Sequence, residues 1–298
     1  MSQDPLTEKH ATAGTLYIVA TPIGNLSDLS ARAHEILGAV DLIACEDTRT
    51  TRPLLAVHGI TAKTLALHEH NEHAARDKLV THLLDGKSIA LVSDAGTPAI
   101  SDPGALVVEA AHKAGIRVVP IPGCNAALAA YSASGFLSDR FLFAGFLPAS
   151  ASARRKAIAS LTADCPVILY EAPHRILACI EDLAATLGPD RPLVIARELT
   201  KKFEEIARLE LGTAKAWIEA GAHRQQGEFV LVLGPRPPAV VEDDGQAERV
   251  LRVLLEDHSV SDAARITARL TGGSKNVLYE RALALAAVLP PATPRKPR

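Results

Sequence analysis

Residues Ser93 to Gly104 read S-D-A-G-T-P-A-I-S-D-P-G. Before them, Ser88 to Val92 is a short apolar run that reads as a buried strand. After them, Ala105 to Ala114 has the period and composition of a helix, with Pro103 near its first turn. The stretch is therefore a strand-to-helix crossover. At twelve residues it exceeds the ~2–6 of most such loops. It carries two acids (Asp94, Asp102), two glycines (Gly96, Gly104) and two prolines (Pro98, Pro103). A tight connector would use Gly and Pro only for backbone geometry. Open α/β sheets keep their ligands at the carboxyl ends of strands, and the length favours that reading.

Outward from this loop the pattern repeats. Strands are expected at Thr15–Ala20, Asp41–Cys45, Thr64–Leu67 and Arg117–Ile121, alternating with helices. Their exits read T-P-I-G-N (Thr21 to Asn25), E-D-T-R (Glu46 to Arg49), H-E-H-N-E (His68 to Glu72) and P-G-C-N-A-A (Pro122 to Ala127). Five strands alternating with helices predict an α/β fold with a mostly parallel sheet and helices on both faces. A second α/β unit begins near Phe141, with strands at Val167–Tyr170, Leu193–Arg197 and Glu228–Leu233 and a helix over Arg175–Leu187. Pro235 to Gln246 reads as a linker. Three short helical segments follow to Leu285, broken at Ser259–Ser261 and Gly272–Ser274, as in a small helix-turn-helix unit. Arg249, Arg252, Arg265, Arg269, Lys275 and Arg281 make that unit locally basic, suited to nucleic-acid contact. Pro290 to Arg298 reads as a basic, disordered tail. The expected domains are 14–137, 138–236 and 247–290.

The 298 residues carry a net charge of −2, which argues against a protein coated over its whole surface by a polyanion. Cys45, Cys124, Cys165 and Cys179 are far apart, the pattern of reduced thiols in a cytoplasmic protein. The N-terminal residues are polar, unlike a signal peptide, and no apolar run approaches a membrane span. His68, His70 and His73 raise a metal-dependent hydrolase as an alternative, although no further set of ligands accompanies them. Neither G-x-x-x-x-G-K-[ST] nor G-x-G-x-x-G occurs, so neither a P-loop nor an ordinary dinucleotide site is supported. An adenosine with a charged amino-acid end, and no phosphate, suits these loops better.

Seven motifs in order carry a resemblance: L-Y-I-V-A-T-P-I-G-N-L-S-D-L-S-A-R-A from Leu16, A-C-E-D-T-R from Ala44, L-H-E-H-N-E from Leu67, A-L-V-S-D-A-G-T-P-A-I-S-D-P-G from Ala90, R-V-V-P-I-P-G from Arg117, Y-E-A-P-H-R from Tyr170 and A-R-E-L-T-K from Ala196. The chain resembles the ribosomal RNA small subunit methyltransferase I family, a branch of the tetrapyrrole methylase superfamily, from Gly14 to Leu233. Its helical C-terminal unit resembles that branch's appended domain. The resemblance implies two α/β domains, the second with a mixed sheet, and S-adenosylmethionine bound between them. It implies methylation of a cytidine ribose 2′-hydroxyl in 16S rRNA near the decoding centre, acting on the small ribosomal subunit as a homodimer. A small-molecule tetrapyrrole methylase of the same superfamily, and a DNA-binding regulator, are the other readings; E-D-T-R, L-H-E-H-N-E and the basic C-terminal unit favour the RNA branch.

Carried over by position, Pro22 and Gly24 lie beside the cofactor on the first loop. By the same resemblance Asp94, Gly96, Thr97, Pro98, Ala99, Ile100 and Ser101 would form the main cofactor loop. Pro122 and Gly123 would approach from the fifth strand, and Tyr170, Glu171 and Leu199 from the second domain. Cys124 and Asn125 depart from the family's usual proline or small residue. Transfer to a hydroxyl needs a base to take its proton, and Glu46, Asp47 and His68 are the candidates. Arg49 would orient an acid or hold an RNA phosphate, and Lys201 and Arg175 would hold phosphate from across the cleft. For Asp47 the competing reading is a helix cap.

Overall fold

The structure, a computed structural model, describes residues 11–68, 71–161, 164–235 and 245–288. They fall into two compact units, one ending at Pro235 and one made of the helices beyond it. No helix among the described residues is long and apolar enough to cross a membrane.

The first unit opens with β1 (Thr15–Val19), α1 (Ala31–Ala39), β2 (Leu42–Cys45), α2 (Thr48–Val57), β3 (Thr64–Ala66), α3 (Glu72–Leu84), β4 (Ile89–Val92), α4 (Ala105–Lys113), β5 (Arg117–Ile121) and α5 (Ala126–Ser134). The five strands form one sheet in the order β3-β2-β4-β1-β5, and every pairing is parallel. Alternation along the strands fills both faces. Tyr17, Val19, Ile43 and Val92 pack with Ala33, Ile36 and Leu37 of α1. Leu16, Ala44, Ile89 and Leu91 pack on the other side with Leu79 and Leu83 of α3 and Val107 of α4. Because all five strands run one way, their polar exits gather on one edge.

A second sheet follows in the same unit: β6 (Leu142–Phe146), α6 (Ala151–Ser160), β7 (Val167–Glu171), α7 (Ile176–Leu187), β8 (Pro192–Arg197), β9 (Glu205–Glu210), α8 (Leu211–Glu219) and β10 (Phe229–Leu233). Its order is β6-β7-β10-β8-β9. Only β6 and β7 are parallel, so the sheet is mixed. One face packs on α6, α7 and α8 through Ile158, Ile180, Leu183, Ala214 and Ile218. The other face presents Ile168, Val194, Ala196, Val230 and Val232 to Ala127 and Ala130 of α5. Helix α5, which follows β5 in the chain, thus packs on the second sheet. Under α6, the buried Asp182 carboxylate accepts from Arg154 Nε at 2.7 Å and Arg155 Nε at 2.8 Å.

Four elements here were not expected from sequence: β6, α6, β9 and α8. Helix α6 holds S-A-R-R-K, whose buried positions are Arg154 and Ile158, so no apolar stripe marks it. Strand β9 is an edge strand, half-buried at alternate residues and charged at both ends. Helix α8 follows it without a break, and Gly212 and Thr213 blur its start.

In the second unit α9 (Gln246–Leu254), α10 (Val260–Thr271) and α11 (Lys275–Val288) bury Leu251, Ala263, Ala264, Leu278 and Ala282 between them. The break expected at Ser259–Ser261 lies earlier and is longer, over 255–259: Ser259 caps α10, its hydroxyl accepting from Asp262 N, and the helix starts at Val260. Arg252 pairs with Glu248 and Arg265 with Asp262, which mutes part of the expected basic face. Most of the expected linker (236–244) and the expected tail lie outside the described residues.

Candidate functional site

The loops after β1 and β4 are zipped together. Thr21 N donates to Gly96 O at 2.9 Å, Gly96 N returns a bond to Thr21 O at 3.0 Å, and Thr21 Oγ1 donates to Ser93 O at 3.2 Å. Thr97 Oγ1 donates to Cys124 O at 2.9 Å, which adds the β5 exit. At the far end of the loop, Gly104 N donates to Glu72 Oε1 at 2.9 Å. Between these anchors Ala99 and Ser101 are held in the left-handed region, each at φ 64°. Left-handed conformations cost a non-glycine residue of order 1–3 kcal/mol and gather at ligand sites.

This edge faces the second sheet across a cleft of about 420 Å³, the size range of small-molecule sites. Asp94, Gly96, Thr97, Ile100, Ser101, Tyr170, Glu171 and Leu199 line it, eight of the residues expected to hold a cofactor. Pro22 and Gly24 flank the lining residue Ile23 without lining the cleft themselves. Pro98 and Ala99 belong to the same loop without lining the cleft. Pro122 and Gly123 also stand outside, and Asn125 and Ala126 take the place expected for them. Asn125 caps α5, its side chain accepting from Leu128 N at 3.1 Å. Asp102, Phe146, Glu228, Phe229 and Val230 complete the wall and were not expected. Asp102 stood in the sequence beside Asp94 in the same loop. Glu228 stood only as the first residue of an expected strand, and Phe146 carried no signal.

The lining has a pronounced charge character. It includes the carboxyl groups of Asp94, Asp102, Glu171 and Glu228 and no Lys, Arg or His side chain. Three of the four acids are compensated. Asp94 Oδ1 accepts from Asp47 N at 3.1 Å. Glu171 caps Ala172 N at 2.8 Å and pairs with Arg175 at 3.1 Å. Glu228 Oε2 accepts from Lys201 Nζ at 2.9 Å. Asp102, among the described residues, is met by the Ser93 hydroxyl; burial, with Asp94 adding to it, pushes its carboxyl up to about 6.

None of the five residues expected to act in catalysis lines the cleft. Glu46 is nearest in effect: burial raises its carboxyl, and the neighbouring Asp102 and Asp94 add to the rise. Asp47 is the N-cap of α2, its side chain accepting from Arg49 N at 2.7 Å. The Arg49 guanidinium bonds both Asp47 oxygens and holds that carboxyl down to about 2. The helix cap is thus the role the geometry gives Asp47, and a carboxylate so acidic is a poor proton acceptor. The Arg49 side chain is otherwise 88% exposed. His68 is exposed at the β3 exit, close enough for its charge to act on Asp47. His70 lies outside the described residues, and no group of three metal-ligating side chains occurs among those described. Lys201 Nζ is shared between Glu198 Oε1 and Glu228 Oε2, each at 2.9 Å. Partial burial opposes its charge, but those two bonds outweigh it and raise its pKa above the usual lysine value. Arg175 is committed to Glu171 and to the carbonyls of Leu147 and Pro148.

The Glu198–Lys201 turn meets the first loop at Gly24. A Cβ there would press on Lys201 Cγ and lie 2.9 Å from Thr200 Oγ1 and 3.1 Å from Leu199 O. Only glycine allows this approach. Glu198 and Thr200 themselves have positive φ, 51° and 65°. Both sides of the cleft are therefore held by strained loops in direct contact.

Residues 15–215 match the family model of tetrapyrrole (corrin/porphyrin) methylases, and residues 241–286 match that of the RsmI C-terminal HTH domain. The chain is 47% identical over 270 residues to ribosomal RNA small subunit methyltransferase I of Xylella fastidiosa, covering 90% of this chain and 99% of the relative. It is also 47% identical to the protein of that name from Escherichia coli O157:H7, covering 91% and 95%. Among solved structures, diphthine synthase matches in fold at TM-score 0.57 and 18% identity, over 74% of this chain and 90% of that one. The uroporphyrin-III C-methyltransferase of Thermus thermophilus, complexed with S-adenyl homocysteine, matches at 0.52 and 15%, over 74% and 97%. The two sheets, the cleft between them and near-full-length identity agree, and the chain belongs to the ribosomal RNA small subunit methyltransferase I family of the tetrapyrrole methylases.

Proposed function

We propose that this protein transfers a methyl group from S-adenosylmethionine to the ribose 2′-hydroxyl of a cytidine in 16S rRNA near the decoding centre. It acts in the cytoplasm on the small ribosomal subunit, as a homodimer, through two α/β domains (14–137 and 138–236) and the helical unit 247–290. The observation that carries this reading is the acid-lined cleft, which has four carboxyl groups and no basic side chain. A phosphorylated cofactor would be repelled there. A ligand with a sulfonium and an ammonium would relieve Asp102, whose ionisation burial and the neighbouring Asp94 disfavour. The apolar side chains of Ile23, Ile100, Leu199 and Val230 suit an adenosine. The residues present therefore fit this cofactor.

When bound, S-adenosylmethionine supplies an electrophilic methyl carbon and a neutral thioether leaving group. The remaining work falls to the chain. Asp94, Gly96, Thr97, Ile100 and Ser101, with Pro98 and Ala99 setting their backbone, hold the cofactor from the first domain. Ile23, between Pro22 and Gly24, and the α5 start beyond Pro122 and Gly123 hold it from the adjoining loops. Tyr170, Glu171 and Leu199 close the opposite wall. Alignment of reacting atoms supplies a large share of such rate enhancements, and the anchored loops provide it. Glu46 takes the hydroxyl proton: it is a half-buried carboxyl at the β2 exit whose pKa is raised above the usual glutamate value by burial and by Asp102 and Asp94. His68 assists at the same edge. Asp47 positions the α2 start, and Arg49 reaches into solvent for an RNA phosphate. Lys201 stays cationic and holds Glu228 in the wall.

The test is transfer of isotopically labelled methyl from S-adenosylmethionine to small ribosomal subunits by the purified protein, followed by alkaline hydrolysis. Label in alkali-resistant dinucleotides supports the reading. Label absent, or found on a base, contradicts it.

A further inference from the structure

Phe146 is 54% exposed on the wall of the cleft. A single exposed apolar side chain is ordinary on a protein surface; what singles this one out is its place on the cleft wall. Phe146 also points the way it does through a specific device. In a regular strand, residues three apart face opposite ways, so Phe143 and Phe146 should lie on different faces of β6. The register against β7 slips between Phe143 and Gly145, pairing Phe143 with Ile168, Gly145 with Leu169 and Phe146 with Tyr170. That bulge leaves Ala144 extra and turns Phe146 onto the face of Tyr170. Without it, Phe146 would face the side where Leu169 packs into the helical core. Gly145 makes the slip with φ 61°, and a Cβ there would lie 3.0 Å from Ser101 Oγ of the cofactor loop.

The ring is also fixed in place. Phe146 meets Tyr170 edge-on, centroids 5.5 Å apart at 62°, and Phe143 meets Tyr170 at 5.2 Å and 71°. The Tyr170 hydroxyl is tied in turn, accepting from Ala127 N at 3.2 Å. Just beyond Phe146, Arg175 donates to the carbonyls of Leu147 and Pro148. The result is a braced aromatic face at the open side of a cleft whose inner wall, at Ala196, Phe229 and Val230, is buried.

We infer that Phe146 is the stacking platform for the unstacked nucleobase of the target nucleotide, holding it while its ribose is presented to the methyl donor deeper in the cleft. This rests on the RNA reading above. An enzyme acting on one nucleotide must take it out of its stack, and an aromatic face receives any base without needing a charge. The cleft has no basic group to hold a phosphate, so the base and sugar are the parts of the RNA it can admit.

The experiment compares full-length wild type with Phe146→Ala, Phe146→Leu and Phe146→Tyr. Three readouts are taken: kcat/KM for methyl transfer to small ribosomal subunits, Kd for S-adenosylmethionine by calorimetry, and quenching of a fluorescent cytosine analogue at the target position of an RNA fragment. The account expects kcat/KM to fall roughly 5- to 150-fold in the Ala and Leu variants, the equivalent of the ~1–3 kcal/mol of one base–aromatic stack. Cofactor Kd should stay within about twofold of wild type. Phe146→Tyr should restore both transfer and quenching. Three results would overturn the assignment: Ala and Leu variants as active as wild type, Leu rescuing as well as Tyr, or cofactor affinity falling in step with kcat/KM, which would put the ring on the adenine. A wild type that transfers nothing to the subunit would remove the RNA reading itself, and the platform with it.

Discussion

Replacing Asp102 with Asn should strengthen the ligand-free protein and weaken its grip on the cofactor. The Asp102 carboxyl is raised from 3.8 to about 6, first by burial and then by Asp94, and the Ser93 hydroxyl offsets only part of this. A raised carboxyl works against the fold when ionised. The destabilisation is absent below the unfolded value, grows as pH rises through 3.8 to about 6, and is full at neutral pH. About two units at 1.36 kcal/mol each give ~3 kcal/mol as a ceiling. Asp102 remains partly open to solvent, and screening reduces that to about 1 kcal/mol. Asp102→Asn removes the charge at nearly constant volume, so it should raise Tm without cofactor by ~2–4 °C at pH 7.5, for a unit of this size. At pH 4 the gain should disappear. Binding should move the other way: losing one charge-assisted contact to a cationic ligand costs ~1.5–3 kcal/mol, so Kd for S-adenosylmethionine should rise about 10- to 150-fold. Scanning calorimetry across pH reads the first effect and titration calorimetry the second. A variant that melts lower than wild type, or binds S-adenosylmethionine equally well, would refute the assignment of an uncompensated cleft carboxylate.

Glu46→Gln and His68→Ala should lose methyl transfer while cofactor still binds; general-base assistance is worth ~10²–10⁴-fold, and unchanged single-turnover rates in both would clear them of that role. Gly24→Val forces side-chain atoms into Leu199, Thr200 and Lys201; an overpacking cost of ~1–3 kcal/mol should appear in urea unfolding, together with weaker cofactor binding. Asp182→Ala strands the buried Arg154 and should cost ~3–5 kcal/mol. Burial alone would raise the Asp182 carboxyl, but bonds from Arg155 and Arg154 outweigh it and hold it below its usual value. Its contribution is therefore present above pH 3.8 and fades as pH falls through the lower folded value, so the gap between wild type and Asp182→Ala should narrow in acid.

The parallel sheet was legible because each of its strands is an apolar run closed by Gly, Pro or charge, and β5 falls where expected, at Arg117–Ile121. The elements that escaped, α6 and β9, bury charged residues or alternate them at an edge, so periodicity had little to read. The same contrast runs through the site. The loop from Ser93 to Gly104 announces itself by length and composition, and most of its residues meet the cleft. Phe146 and Glu228 are drawn to the cleft by events remote in sequence, the bulge at Phe143/Gly145 and the Lys201 bridge between Glu198 and Glu228. Glu46 and Asp47 look alike in E-D-T-R, yet one is raised by burial and the other lowered by Arg49. Neighbouring identical charges separate only when the three-dimensional surroundings are known.

The central claim is that this chain places a methyl group on one cytidine ribose of 16S rRNA. Mass-spectrometric mapping of ribose methylation, in 16S rRNA from cells with and without the protein, tests it most directly. The account predicts one 2′-O-methylcytidine near the decoding centre that is lost with the protein and returns when wild type, but not Glu46→Gln, is supplied. An unchanged ribose-methylation map in its absence would contradict it.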